Sequence, residues 1–261
     1  MNWYEALILG IVQGLTEFLP VSSSGHLELG KAIFNLSTEE DMTFAIVVHG
    51  ATVLSTIVVF FKELLKLFTD SISFKWNPSS QYLLKLLISM IPVLIVGFFF
   101  RDFVEQFFTG NIIFVGSMLI VTSALLMASN YAKDKGREIS YIHSFIIGIA
   151  QAIAVLPGLS RSGATISTGL LLGNKKDEMA KFSFLMVLIP IIGVNLLDII
   201  SGNISADYSI NNLTLIIGFI SAFITGLIAC RWMIRIVKKG KLIYFGIYCF
   251  VIGLIAILTG I

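Results

Sequence analysis

Charge is what this chain has least of: 13% of its 261 residues are Asp, Glu, Lys or Arg, about half the share of an ordinary soluble domain. With 56% hydrophobic residues beside so little charge, the composition argues against a water-soluble fold. Cysteine is nearly absent. Cys230 and Cys249 lie far apart in apolar segments and form no CxxC or zinc spacing, so they read as lipid-facing or packing residues. The basic excess is small, 18 Lys and Arg against 16 Asp and Glu, and no run of five or six like charges occurs; nucleic acid is not an expected partner. The opening Met1-Asn-Trp-Tyr-Glu5 lacks the positive flank of a secretory signal, and no cleavage is expected there.

What is present is a series of long apolar stretches, at about 42 to 61, 82 to 100, 111 to 131, 182 to 200, 213 to 234 and 242 to 260. At about 20 residues per crossing these predict six full membrane spans. Two further apolar regions, about 3 to 34 and 141 to 173, are each broken by Pro and a Ser/Gly cluster: Leu19-Pro-Val-Ser-Ser-Ser-Gly25 and Leu156-Pro-Gly-Leu-Ser-Arg-Ser-Gly163. Each fragment is too short to span. Irregular backbone is tolerated at membrane depth only where protein or water surrounds it, so both regions predict re-entrant helix-loop-helix hairpins lining a cavity.

The two broken regions are copies. At a constant spacing of 138 residues, Ile8, Gly10, Ile11, Gln13, Ser22, Ser24 and Gly25 meet identical residues at Ile146, Gly148, Ile149, Gln151, Ser160, Ser162 and Gly163. Gly110, Ile113 and Gly116 likewise meet Gly240, Ile243 and Gly246 at a spacing of 130. The expected fold is an all-α integral membrane protein in one domain, 1–261, with repeat one at about 1–132 and repeat two at about 140–261. Each repeat is one hairpin plus three transmembrane helices. An odd number of crossings turns the second copy over, the inverted-topology plan of many transporters, with the site at the repeat interface.

Positive charge supports this layout, because Lys and Arg favour short cytoplasmic loops. Lys62, Lys66, Lys75 and Lys85, then Lys133, Lys135 and Arg137, then Lys175, Lys176 and Lys181, then Arg231, Arg235, Lys238, Lys239 and Lys241 all fall on one side. Lys31, Arg101 and the acidic cluster Glu39, Glu40, Asp41 fall on the other. Both termini are therefore expected to be extracytoplasmic.

Inside the hairpins sit residues that membrane depth makes costly. A carboxylate such as Glu17 costs about 2.5–3.5 kcal/mol there on insertion scales. Gln13, four residues earlier, shares its helical face, and Thr16 adds a hydroxyl; the competing reading is a Glu that snorkels to the interface. Ser22, Ser23, Ser24, Gly25 and His26 bring three hydroxyls and an imidazole to a helix N-terminus, which attracts anions, although one Ser there is also an ordinary N-cap. Arg161, between Ser160 and Ser162, carries a guanidinium suited to bidentate phosphate binding, or to pairing with Glu17; Thr165 follows one turn on. His49 and His143, lone histidines near segment ends, and Asp198 near the outer interface read as packing or loop residues. The Phe98-Phe99-Phe100 and Phe107-Phe108 stripes read as facing lipid or the bundle core.

The segments Gln13-Gly-Leu-Thr-Glu17-Phe-Leu-Pro-Val-Ser-Ser-Ser-Gly-His26 and Pro157-Gly-Leu-Ser-Arg-Ser-Gly-Ala-Thr165 closely resemble the two signatures of the undecaprenyl-diphosphate phosphatase family, also called bacitracin-resistance proteins. The resemblance extends to length, hydropathy and hairpin placement. It implies hydrolysis of the C55 polyprenyl diphosphate to its monophosphate and inorganic phosphate at the outer face of a bacterial plasma membrane. That reaction recycles the lipid carrier of cell-wall synthesis and confers bacitracin resistance. It also implies a divalent cation, Mg2+ or Ca2+, held by Glu17 and Gln13. Many relatives carry Glu where Gln13 stands, which leaves one carboxylate fewer here. The resemblance places catalysis on Glu17, Ser23, His26 and Arg161, and substrate binding on Gln13, Ser22, Ser24, Gly25, Ser160, Ser162, Gly163 and Thr165.

The residues leave the attacking group open among Ser23 with His26 or Glu17 as base, His26 itself and a metal-bound water, with Ser23 preferred. Expected partners are the polyprenyl diphosphate and membrane lipids, with a homodimer the one assembly considered. The competing function is a secondary transporter or flippase that grips a polyprenyl phosphate with the same Arg161 and Ser clusters.

Overall fold

Polar caps punctuate an otherwise apolar chain and decide where its helices begin. Asn77 accepts from the Ser80 N–H at 2.8 Å and Pro78 fills the first helical position; Asn111 caps Phe114, Ser140 caps His143 and Asn211 caps Leu213, at 3.0, 3.1 and 3.0 Å. In this computed structural model the described residues are 1–34, 38–72, 76–108, 110–133, 135–200 and 211–260, with the side chains of 38–42 and 194–200 left undescribed. Among the described residues the chain is all-helical, without strands.

In order the helices are α1 (Trp3–Phe18), α2 (Ser23–Phe34), α3 (Thr38–Val59), α4 (Phe61–Ile72), α5 (Pro78–Phe99), α6 (Arg101–Glu105), α7 (Ile112–Asn130), α8 (Tyr141–Ile153), α9 (Arg161–Leu171), α10 (Lys176–Ile200), α11 (Asn212–Lys238) and α12 (Ile243–Thr259). Three described helices, α5, α7 and α11, are long and apolar enough to cross a membrane, or four if the bent pair α3 and α4 counts as one. The expected stretch at 42 to 61 ends where α3 does: the chain turns by 73° at Phe60, and α4 leaves as a separate amphipathic helix. Its Phe61, Leu65, Phe68 and Ile72 form one exposed apolar stripe. The apolar α12, with 17 residues, is about 26 Å long, a little less than the hydrocarbon core of a bilayer.

Both broken regions are helix-break-helix hairpins, α1–α2 and α8–α9. Helix starts recur at the spacing of the sequence copies: Trp3 and Tyr141, Ser23 and Arg161, Thr38 and Lys176 are each 138 residues apart. Packing partners recur too. α1 lies on α11 and α8 on α5, α3 lies on α11 and α10 on α5, while α7 and α12 pack on each other. Small residues allow the close approaches. A Cβ added at Gly10 would meet the Gly218 carbonyl at 2.6 Å, and one at Gly148 would meet the Ser89 backbone.

The main core wraps the hairpins. Phe18, Ile147 and Ile166 from the hairpins pack with Leu119 of α7, Phe182, Phe184 and Met186 of α10, and Met233 of α11. Cys230 and Cys249 are both buried, which assigns them to packing. Three of the basic residues expected on one side are held by aromatic rings or an acidic partner. Lys85 lies over the Tyr141 ring and Lys181 over Tyr82, at 5.7 and 5.9 Å, and Lys238 pairs with Asp177. Lys75 and the side chains of Glu39, Glu40, Asp41 and Asp198 lie outside the described residues.

Candidate active site

Pro20 cannot continue α1, and the chain breaks over residues 19 to 22. Ser22 holds φ at 69°, the left-handed region that costs a non-glycine residue about 1 kcal/mol or more. Its hydroxyl accepts from the Gly25 N–H at 3.2 Å, capping α2. The second hairpin repeats this: Ser160 accepts from the Gly163 N–H at 3.0 Å, and the Ser22–Ser24 and Ser160–Ser162 hydroxyls lie 3.4 and 3.3 Å apart. Gly25 and Gly163, expected to bind substrate, therefore have their N–H groups already used. Those of Ser23, Ser24, Arg161 and Ser162, in the first turn of each helix, have no intrahelical acceptor to find.

The two breaks interlock. A Cβ on Gly25 would stand 3.0 Å from Gly158 Cα, and one on Gly163 would stand 3.4 Å from Pro20 Cβ. These are equivalent positions of the two copies. Ser162 donates to the Leu19 carbonyl at 3.3 Å, while Thr122 of α7 accepts from the Ser160 N–H and donates to the Gly158 carbonyl.

At this junction Glu17 is the hub. Its Oε1 receives Arg161 Nη2 at 2.7 Å; its Oε2 receives the Ser23 hydroxyl at 2.6 Å and Gln13 Nε2 at 2.9 Å. Only 9% of the Glu17 side chain is exposed, and a carboxylate so enclosed is stable only when paired and hydrogen-bonded. His49 of α3, read from sequence as packing, completes the group with Nε2 3.8 Å from Glu17 Oε2. Its Nδ1 donates to the Ala45 carbonyl at 2.8 Å, which leaves Nε2 as the ring nitrogen facing Glu17. The sequence did carry a signal for His49, since an ionisable side chain inside an apolar stretch is a functional candidate.

A cavity of about 520 Å³ opens over this group. Its polar floor holds Glu17, Ser22, Ser23, Ser24, His49, Gln151, Ser160, Arg161 and Ser162. Its walls are apolar, from Ile46, Val93, Leu94, Phe98, Val155, Val187 and Ile191, and it reaches Arg101, Glu105 and Phe108. That rim lies beyond the far end of α5, about 33 Å of helix from the basic end of the bundle.

Three expected site residues are turned elsewhere. Gln13 is fully buried beneath Glu17 and bonds it from below the cavity. Thr165 is buried, with its hydroxyl on Ser183 at 2.6 Å and on the Arg161 carbonyl. His26 donates Nδ1–H to the Ser22 carbonyl at 2.8 Å, and its Nε2 accepts from Tyr248 Oη at 2.9 Å, with the two rings stacked. Ser23 is thus bonded to Glu17 and not to His26. His143, in the first turn of α8, is held by Asn174 at 2.8 Å.

The profile of the family described as "Bacitracin resistance protein BacA" matches residues 6–255. The chain belongs to the BacA family. Undecaprenyl-diphosphatase of Parabacteroides distasonis is 56% identical over 260 residues, covering 98% of each chain. The Bacteroides fragilis protein of the same name is 56% identical over 263 residues, 99% of this chain and 98% of its own. That of Methanococcus vannielii is 42% identical over 97% of this chain and 98% of its own. With helices of spanning length, this BacA-family chain is a multi-pass membrane protein.

Proposed function

We propose that this protein is a membrane phosphatase that hydrolyses undecaprenyl diphosphate to undecaprenyl phosphate and inorganic phosphate. The observation that carries the reading is the Ser23–Glu17–Arg161 chain at the floor of an apolar-walled cavity. A carrier needs only to grip a phosphate. A serine hydroxyl bonded to a buried carboxylate that is itself held by an arginine goes further, because it is the arrangement of an activated nucleophile.

The chemistry follows from the geometry. Arg161, with the N–H groups opening each second helix, binds phosphate oxygens and offsets the charge that grows on the leaving group. Ser23 Oγ attacks the distal phosphorus and gives its proton to Glu17 Oε2, 2.6 Å away. The bond to the bridging oxygen breaks, undecaprenyl phosphate leaves, and a phosphoserine remains. Water then attacks that phosphorus and loses its proton to His49 while the bond from phosphorus to Ser23 Oγ breaks; Ser23 Oγ takes back its proton from Glu17, and inorganic phosphate is released. In this scheme His26, engaged with Tyr248, positions α2 and does not act as the base.

A divalent cation, Mg2+ or Ca2+, belongs to the same proposal. Among the described residues no three His, Cys, Asp or Glu side chains gather as a metal cage. Of the donors expected to hold it, the Glu17 carboxylate lines the cavity and suits a hard cation shared with substrate, and Gln13, buried beneath it, has an Oε1 with no hydrogen-bond partner among the described residues. When bound, the cation supplies further neutralisation of the diphosphate.

The remaining features fit a lipid substrate in a bacterial plasma membrane. We infer that the two hairpins re-enter the bilayer within two inverted repeats of three spans each. The 138-residue spacing of helix starts and the matched packing partners support this. The polyprenyl chain lies along the apolar walls, and the cavity opens at the Arg101 end, away from the basic loops that favour the cytoplasm, with both termini outside.

The test is phosphate release from undecaprenyl diphosphate by the purified full chain in detergent, with Mg2+ and with EDTA. Release that EDTA abolishes and Mg2+ restores is expected. No release from folded protein under either condition would return the transporter reading to first place.

A further inference from the structure

Two glutamines occupy the same place in the two hairpins, Gln13 in α1 and Gln151 in α8. Gln13 has an acceptor one turn on: its Nε2 donates to Glu17 at 2.9 Å. The corresponding residue after Gln151 is Val155, which offers no acceptor. Gln151 is 1% exposed, its Nε2 is buried with no hydrogen-bond partner among the described residues, and the residue lines the cavity together with Val155 and Arg161. A buried amide N–H left without an acceptor is rare in a folded protein and calls for an explanation. Here the missing acceptor is the oxygen that Glu17 supplies in the other copy, and the vacated place opens on a cavity whose floor already carries a guanidinium. An oxyanion entering that cavity satisfies the amide.

We propose that the Gln151 side-chain amide donates a hydrogen bond to an oxygen of the substrate's diphosphate group, standing to the ligand as Gln13 stands to Glu17. The inference rests on the phosphatase reading above and adds a binding residue to the same site. As a neutral donor, Gln151 contributes equally to ground state and transition state, so its loss raises KM and leaves kcat nearly untouched.

The experiment compares the purified full chain with Gln151→Leu and Gln151→Glu. It uses turnover of undecaprenyl diphosphate, together with inhibition and thermal protection by methylenediphosphonate, an uncleavable diphosphate. Gln151→Leu is expected to raise KM and the methylenediphosphonate inhibition constant about ten- to a hundredfold, with kcat within about threefold. Gln151→Glu, nearly isosteric but repelling an anion, raises both further, while the unliganded unfolding midpoint of Gln151→Leu, which removes an unpaired amide, stays at or above the wild-type value. The inference is overturned if both variants keep KM and inhibition within about twofold of wild type, or if the unliganded midpoint falls while KM does not move. Wild-type protein that binds methylenediphosphonate in a Gln151-dependent way yet releases no phosphate would sink the phosphatase reading and keep the anion contact. Release that is intact and indifferent to Gln151 sinks this inference alone.

Discussion

Arg161 Nη2 and Glu17 Oε1 meet at 2.7 Å across 144 residues of sequence, and the contact joins the end of α1 to the start of α9. It is both the electrostatic centre of the site and the tie between the duplicated halves. Arg161→Ala leaves an enclosed carboxylate without its countercharge and removes the phosphate fork. A fall in kcat/KM of about 10³-fold is expected in a phosphate-release assay, with a lower unfolding midpoint. Arg161→Lys keeps the charge but loses the fork and recovers only part of that loss. Full activity in Arg161→Lys would show that geometry at this position is unimportant.

Ser23→Ala removes the hydroxyl that Glu17 accepts, with almost no change in volume. Turnover is expected to fall at least about a thousandfold with the fold intact. Rapid acid quench of wild-type protein should trap phosphate on Ser23. Near-normal turnover in Ser23→Ala would move the attack to water or to His26.

His49→Asn removes the ring facing Glu17 and leaves the rest of α3 in place. A drop in kcat of about ten- to a hundredfold, with KM within about twofold, is expected if His49 shares the proton with Glu17. An unchanged kcat would return His49 to packing.

Gly158 holds φ at +89°, and a Cβ there would run into the Val115 carbonyl and stand 2.9 Å from Met118 Cβ. Gly158→Ala is expected to destabilise the folded chain by about 2 kcal/mol or more, seen as a lower unfolding midpoint. Activity should fall with it, because Gly158 seats the loop that carries Arg161 and packs against Gly25.

Much of this was legible because membrane depth makes polar residues expensive. The breaks at Pro20 and Pro157, the 138-residue spacing and the pairing of Glu17 with Arg161 were all visible in the residue pattern. What sequence could not supply was direction. Ser23 and His26 are three residues apart on α2, yet Ser23 turns to Glu17 while His26 turns to Tyr248, and Tyr248 arrives from a helix 222 residues further on. His49 enters the site only because α3 packs beside α1, a tertiary fact with no local signature. The stretch at 42 to 61 ended at the bend, but that residues 61 to 72 form the amphipathic helix α4 was not read from the sequence. Gln151 was plain as the twin of Gln13, but its meaning depended on seeing that its amide finds no acceptor among the described residues.

The wide separation of Glu17 and Arg161 also sets an order of events during synthesis. At about 5–20 residues per second, a ribosome needs about 7 to 30 s to travel from one to the other. Throughout that interval the first hairpin exists with an acidic side chain and no guanidinium to meet it, so burying the hairpin is less favourable until the second has been made. The proposed site is therefore completed late and all at once. Its two loops close over each other only after most of the chain has emerged, and a truncated product ending before α9 carries every residue of the first signature with no working site.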